Sequence, residues 1–135
     1  MSGSGCAGSM RAIDTNVLVR LLTRDDADQT ARAEEFVAPG AWVSHAVLLE
    51  AVWVLDSVFG LSPQRIGTAV AMLLDHAQLS IQDPQVVLAA LEDYGSHDGV
   101  EFSDCLILEV ARQAGHLPLG TFDQALTKLE GSEGI

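Results

Sequence analysis

Four acidic residues, Asp14, Glu50, Asp104 and Asp123, stand at places in the chain where carboxylates can do chemistry. Asp14 follows a short apolar stretch, residues 10–13, and Asp123 follows another, residues 117–120. Ligands of open α/β sheets gather at the carboxyl ends of strands, so both are favoured positions for a site. Asp104 heads an apolar helical segment in EFSDCLI, residues 101–107. Glu50 interrupts VLLEAVWV, residues 47–54, with Ala46, Val47, Trp53 and Val54 as its helical neighbours. That spacing projects a carboxylate from a face expected to bury itself. An isolated buried carboxylate costs several kcal/mol, so a metal, a basic side chain or water at the core's edge should compensate it. Arg32 and Arg65 are the nearest basic residues in sequence.

Taken singly, Asp14, Asp104 and Asp123 could each do no more than cap a helix or complement its dipole, with Ser103 the natural cap beside Asp104. As a set they suit hard divalent cations. Mg²⁺ and Mn²⁺ prefer oxygen ligands, and a few carboxylates with retained waters hold them. Such ions polarise a phosphodiester and lower the pKa of an attacking water. Thr15, Asn16, Ser103 and Thr121 place neutral hydrogen-bonding groups beside the acids, suited to orienting carboxylates or waters.

The elements that must position these residues follow from periodicity. Residues 10–13 read as a strand and 16–22 as a helix. A second helix covers 29–38, closed by Pro39-Gly40. Residues 41–44 read as a buried strand and 45–59 as an apolar helix. Ser62 as N-cap and Pro63 at the first helical position open a helix to about His76. Residues 79–82 are strand-like, and Asp83-Pro84 opens a helix to Tyr94. A loop over 95–99 precedes a helix over 103–114, stopped by Gly115. A short strand over 117–120, a last helix over 123–129 and a frayed tail from Gly131 complete the chain. Strands alternating with helices predict an α/β fold with parallel strands, right-handed crossovers and helices on both sheet faces.

At 135 residues and 48% hydrophobic content the chain predicts one compact domain. No apolar run approaches the roughly 20 residues of a membrane helix. Residues 1–9, MSGSGCAGS, read as an expression-vector scar before Met10, leaving 10–135 as the domain. Cys105 is then its one cysteine, and no disulfide framework or zinc spacing is present, which predicts a cytoplasmic protein. His45, His76, His97 and His116 lack ligand spacing and read as helix-end or loop residues.

The net charge of −12, from 19 acidic and 7 basic residues, opposes a polyanionic partner. It argues against a plain nucleic-acid-binding module, which carries a basic footprint. It argues less against a metal-dependent nuclease, whose site must be acidic. Arg20 and Arg24, four residues apart, could meet RNA phosphates or pair with Asp25, Asp26 or Asp28.

IDTNVLVRLL (residues 13–22), the mid-helix Glu50, FSDCLI (102–107) and TFD (121–123), in this order and spacing, resemble the motifs of the PIN domain. They are most similar to those of VapC-type toxins of bacterial type II toxin–antitoxin systems, over residues 10 to about 130. The resemblance implies a PIN-like three-layer α/β/α sandwich with a short, mostly parallel central sheet. It implies an endoribonuclease dependent on Mg²⁺ or Mn²⁺, with Asp14, Glu50, Asp104 and Asp123 as metal-binding catalytic acids. Asn16 and Thr121 take the family's supporting polar positions. It further implies an RNA substrate, a homodimer and a small antitoxin that presents a basic side chain to the acidic pocket. Helices carrying Val17, Leu21, Trp53 and Phe59 could form the antitoxin groove, or be ordinary core. Asp98 and Glu101 lie near the third acid without an assignable role. A PIN-fold binding partner with little catalysis, or a housekeeping RNase, is the competing reading.

Two other acidic-pocket families fit poorly. A receiver domain wants adjacent acids after the first strand and a late lysine, whereas only Asp14 stands there and Lys128 lies in the final helix. A DxDx[TV] phosphatase would need an acid where Asn16 stands.

Overall fold

The computed structural model describes residues 10–135, and the expected vector scar over residues 1–9 lies outside the described residues. The chain divides into two compact units, one ending at Gln82 and the other running Asp83–Ile135.

In the first unit, β1 (Arg11–Ala12), β2 (Ala41–Val43) and β3 (Leu79–Ile81) form a parallel sheet in that spatial order. Ala41 pairs with Arg11 on one side and with Leu79 on the other. Between the strands run α1 (Thr15–Thr23), α2 (Ala27–Val37), α3 (His45–Ser57) and α4 (Pro63–Leu74). This is the expected α/β class with a short parallel sheet.

Caps set where these helices begin. Asp14 accepts from the Val17 N–H at 3.1 Å, Asp26 from Gln29 at 3.0 Å and Ser44 from Val47 at 3.1 Å. Each satisfies an amide that the first turn leaves without a partner. The Asp26 cap explains why α2 starts at Ala27 rather than at Gln29. Ser62 and Pro63 open α4 as expected, with Arg65 N–H on Ser62 Oγ at 3.3 Å. Helix α1 ends at Arg24, whose φ of 54° is left-handed. The core takes Leu18 and Val19 of α1, Leu48, Ala51 and Leu55 of α3, and Ile66, Val70 and Leu73 of α4. β2 alternates instead of burying both faces: Ala41 and Val43 point inward and Trp42 is exposed.

The second unit holds α5 (Pro84–Ser96), α6 (Phe102–Ala114), β4 (Leu119–Thr121), a 3₁₀ turn (Leu126–Lys128) and β5 (Ser132–Gly134). Helices α5 and α6 pack together, and Tyr94 meets the buried Phe102 edge-on at 5.8 Å between centroids. Helix α5 runs through Gly95 to Ser96, beyond the expected end, with Ser96 Oγ donating to Glu92 O at 2.7 Å. Helix α6 starts at Phe102, so Ser103 lies inside its first turn and Glu101 occupies the cap position with no side-chain cap bond.

The C-terminal part departs most from the periodicity. The expected helix over 123–129 is one 3₁₀ turn, and the tail expected to fray forms β5, parallel to β4. Leu119 N–H donates to Gly131 O at 2.8 Å and Ile135 N–H to Thr121 O at 3.1 Å. A crossover of ten residues must reverse direction and return, which leaves no room for a longer helix. Ser132 Oγ ties the strand to Leu126 O at 2.6 Å and Leu129 O at 2.7 Å. Deleting residues 132–135 is therefore expected to lower the melting temperature, by roughly 4 °C or more. Unchanged thermal denaturation would show that β5 adds nothing to stability.

Candidate active site

Asp14 lies between β1 and α1, exposed, with one carboxylate oxygen on the Val17 amide. A carboxylate carries two oxygens and about four lone-pair sites, so capping leaves it capacity to bind. Thr15 begins α1, and its hydroxyl donates to Glu50 Oε1 on α3. That bond brings Glu50 to the positive end of α1, one residue from Asp14. Asn16 is exposed beside them.

The expectation that Glu50 is buried is corrected here. Helix α3 meets the core through Leu48, Ala51 and Leu55, and Glu50 is exposed. Its apolar neighbours do not define the buried face: Trp53 is 62% exposed, Ala46 is exposed, and Val47 and Val54 are half-buried. Helix α3 is apolar nearly all round, so periodicity cannot tell which stripe faces inward. Glu50's partner is a hydroxyl, and neither Arg32 nor Arg65 is bonded to it. Of the residues expected to be core or partner groove, Val17, Leu21 and Phe59 are half-buried and Trp53 projects into solvent.

In the second unit, Asp104 sits half-buried in the first turn of α6. Burial holds its carboxyl above the usual range, and the charge of nearby Asp123 adds to the effect. Asp123 is exposed in the turn after β4, and that turn is self-braced. Asp123 N–H donates to Thr121 Oγ1 at 2.9 Å. Asp123 Oδ1 accepts from Ala125 N–H at 2.8 Å and from Leu126 N–H at 3.2 Å. Thr121 thus fixes the backbone of Asp123. Asp98 and Glu101 are exposed.

The sequence reading passed over a second acidic group in this unit. Glu109 of α6 is only 8% exposed, and Asp93 of α5 carries a buried Oδ2 that no donor reaches. Glu109 is the neighbouring carboxyl that bears on Asp93 most. Burial first, then the neighbouring Glu109 carboxyl, push Asp93 up to about 7. Arg112 braces the group, with Nε on Glu109 Oε1 at 3.1 Å and Nη2 on Glu130 O at 2.6 Å. The signal was present: Glu109 interrupts the apolar run Cys105-Leu106-Ile107-Leu108 and Val110, as Glu50 interrupts its own. Beside it, Cys105 is fully buried, and burial followed by the neighbouring carboxylates pushes its thiol up to about 12.

The basic residues are largely engaged elsewhere. Arg20 pairs with Asp25 at 2.5 Å, Arg24 with Glu34 at 2.9 Å and Arg32 with Asp28 at 3.2 Å. Arg11 lies 3.7 Å over the Phe36 ring. Arg20 thus pairs with one of the acids expected for it, whereas Arg24 pairs with Glu34, outside the expected Asp25, Asp26 and Asp28. Among the described residues, none of Asp14, Glu50, Asp104 and Asp123 has an ion pair with a basic side chain.

Among the described residues, no three acids, histidines or cysteines stand close enough to hold a cation by themselves. The donor chemistry nevertheless fits one: oxygen-only groups, in two local arrangements, with the Asp104–Asp123 repulsion relieved by no basic group. Three of the four histidines take other ring bonds: His45 Nε2 meets Gln82 O at 2.7 Å, His76 Nδ1 accepts from Gln78 N–H at 3.1 Å, and His97 Nδ1 meets Asp93 O at 3.2 Å. No helix among the described residues is long and apolar enough to cross a membrane.

The family model of the PIN domain matches residues 12–131, a span that takes in all four acids and both units. PIN domains are typically nucleases that use divalent metal ions. No curated protein and no solved structure matches the chain.

Proposed function

The chain belongs to the PIN domain family, and from that premise we propose that it is a Mg²⁺- or Mn²⁺-dependent endoribonuclease. Residues 10–135 act in this reading as one PIN-like domain. Its metal-binding acids in this reading are Asp14 and Glu50 in the first unit, and Asp104 and Asp123 in the second, with Asn16 and Thr121 in support. The observation that carries the reading is the local pairing. Glu50 is bonded to the residue after Asp14, Asp104 feels the charge of Asp123, and no basic side chain neutralises any of them.

When bound, a divalent ion supplies Lewis-acid polarisation of the phosphodiester and a water of lowered pKa. The chain's own residues provide orientation. The Thr15 hydroxyl sets one Glu50 oxygen and leaves the other toward a ligand. The Thr121 turn aims Asp123, and the α1 cap anchors Asp14. Thr15→Val is expected to weaken Mn²⁺ binding about tenfold, the scale for losing an outer-shell hydrogen bond, with Thr15→Ser restoring it. Calorimetric titration reads the change, and equal affinity in the valine variant would remove Thr15 from the site.

The finer role follows the resemblance of residues 13–22, 102–107 and 121–123 to VapC-type toxins. In that role the protein is cytoplasmic and homodimeric. A small antitoxin holds it inactive by presenting a basic side chain to the acids. The net charge of −12 favours such a cationic partner. Mn²⁺ titration with cleavage of structured RNAs tests the enzyme, using Asp14→Asn and Asp104→Asn as controls. Metal-dependent cutting abolished by both supports it, and cutting that survives both points to a contaminant. Metal binding without cutting would favour a binding partner. Induced expression tests the toxin: growth should arrest and a co-expressed partner should relieve it, whereas robust cleavage without arrest favours a housekeeping RNase.

A further inference from the structure

An RNase with net charge −12 must hold a polyanion with few free cations. Each phosphate contact needs a lysine or arginine that is not already paired. Among the described residues, Arg11, Arg20, Arg24, Arg32 and Arg112 are engaged with protein groups, and Arg65 and Lys128 have no ion pair. Phosphate attraction is therefore weakened, which raises the share of affinity left to contacts that ignore charge.

The second unit carries one such contact. Phe122 is 82% exposed, the most exposed of its large apolar side chains, and it stands between Thr121 and Asp123. The turn around it is braced by the Thr121 and Asp123 hydrogen bonds, so the ring is presented from a defined backbone. Its sequence neighbours Thr121, Asp123 and Gln124 are polar, and the last two are exposed. Protein interfaces have an apolar core that excludes water around their anchors. Beyond the exposed Ile135, whose N–H donates to Thr121 O, the ring is flanked in sequence by polar groups and lacks a full surround of that kind. It does suit a flat partner that stacks on one face and stays solvated at its edges. Lys128, exposed in the 3₁₀ turn of the same connection, is free to meet a phosphate.

We propose that Phe122 is a stacking platform for an unpaired RNA base beside Asp123, with Lys128 contacting the strand's phosphate. This rests on the ribonuclease reading above and deepens it, since a stacking ring selects single-stranded or looped RNA over duplex, whose bases are already stacked. Stacking on an aromatic side chain tolerates any base, so Phe122 confers affinity for unpaired RNA and not a sequence preference.

Fluorescence anisotropy of a labelled single-stranded 12-nucleotide RNA, with Ca²⁺ as the ion, tests this. Single-turnover cleavage with Mn²⁺ is measured alongside. Phe122→Ala is expected to weaken binding about tenfold, within the range for one base–aromatic stack, and Phe122→Trp to retain it. Because the ring is so exposed, the alanine variant should melt with wild type. RNA carrying an abasic nucleotide at the stacking position should bind wild type and Phe122→Ala equally, a coupling that a protein-folding effect would not produce. Lys128→Gln should flatten the salt dependence by about one phosphate contact.

Phe122→Ala binding intact RNA as wild type does would overturn the proposal while leaving the ribonuclease reading standing. Wild type that neither binds nor cuts RNA with any ion would overturn both. A Phe122→Ala protein that changes oligomeric state in sedimentation and keeps its RNA affinity would place the ring in a protein interface instead.

Discussion

Asp104→Asn is expected to lower metal-dependent RNA cleavage by about a thousandfold while leaving the protein at least as stable as wild type. A thousandfold corresponds to ~4 kcal/mol, the several kcal/mol expected when a ligand of a Lewis-acid centre is lost. The stability half of the prediction separates this role from a helix cap. A capping acid replaced by a residue that cannot cap costs about 1 kcal/mol, but α6 has Glu101 at its cap position and Asp104 makes no cap bond. Burial and the Asp123 charge instead hold the Asp104 carboxyl above its usual range. Removing the charge removes a repulsion, so activity and stability move in opposite directions. Cleavage rates with Mn²⁺ and thermal denaturation in EDTA measure the two effects. Cleavage within tenfold of wild type would take Asp104 out of the site.

Asp93→Asn is expected to raise the melting temperature at pH 8, by about 4 °C or more. The reason lies between α5 and α6. Burial and the nearby Glu109 carboxyl favour the protonated form of Asp93, with Arg112 on Glu109 and His97 also near Asp93. The sign follows from the folded value of about 7 against the ordinary 3.8. Below the ordinary value both folded and unfolded chains hold the proton, and the full contribution to stability is present. As pH rises, the unfolded chain releases a proton that the fold retains, and stability falls. The loss is complete once pH passes the folded value. Asparagine does not titrate, so this slope disappears. Urea denaturation of both proteins from pH 4 to 9 measures it. Parallel pH profiles would show that folding does not raise the Asp93 carboxyl.

Much of the local structure was legible because local chemistry decides it. Ser62 and Pro63 open α4, Asp83-Pro84 opens α5 and Gly115 ends α6, each through backbone geometry that the residue itself imposes. The segment after β4 was misread for the opposite reason. A run from Asp123 to Leu129 has helical spacing, but β5 must return beside β4, and strand pairing prevailed over local preference.

Asp14, Glu50, Asp104 and Asp123, the acids met first, show the same division. Their types, their order and the suitability of carboxylates for hard cations were legible in the sequence alone, because carboxylate chemistry belongs to the side chain. Which way each one faces was decided only by tertiary structure. Glu50 looked buried because α3 is apolar nearly all round, and only packing through Leu48, Ala51 and Leu55 turned it outward toward the Thr15 hydroxyl. Glu109, with the same sequence signature, was turned inward onto Asp93. A helix's periodicity states how its faces are divided, while its neighbours choose which face is covered.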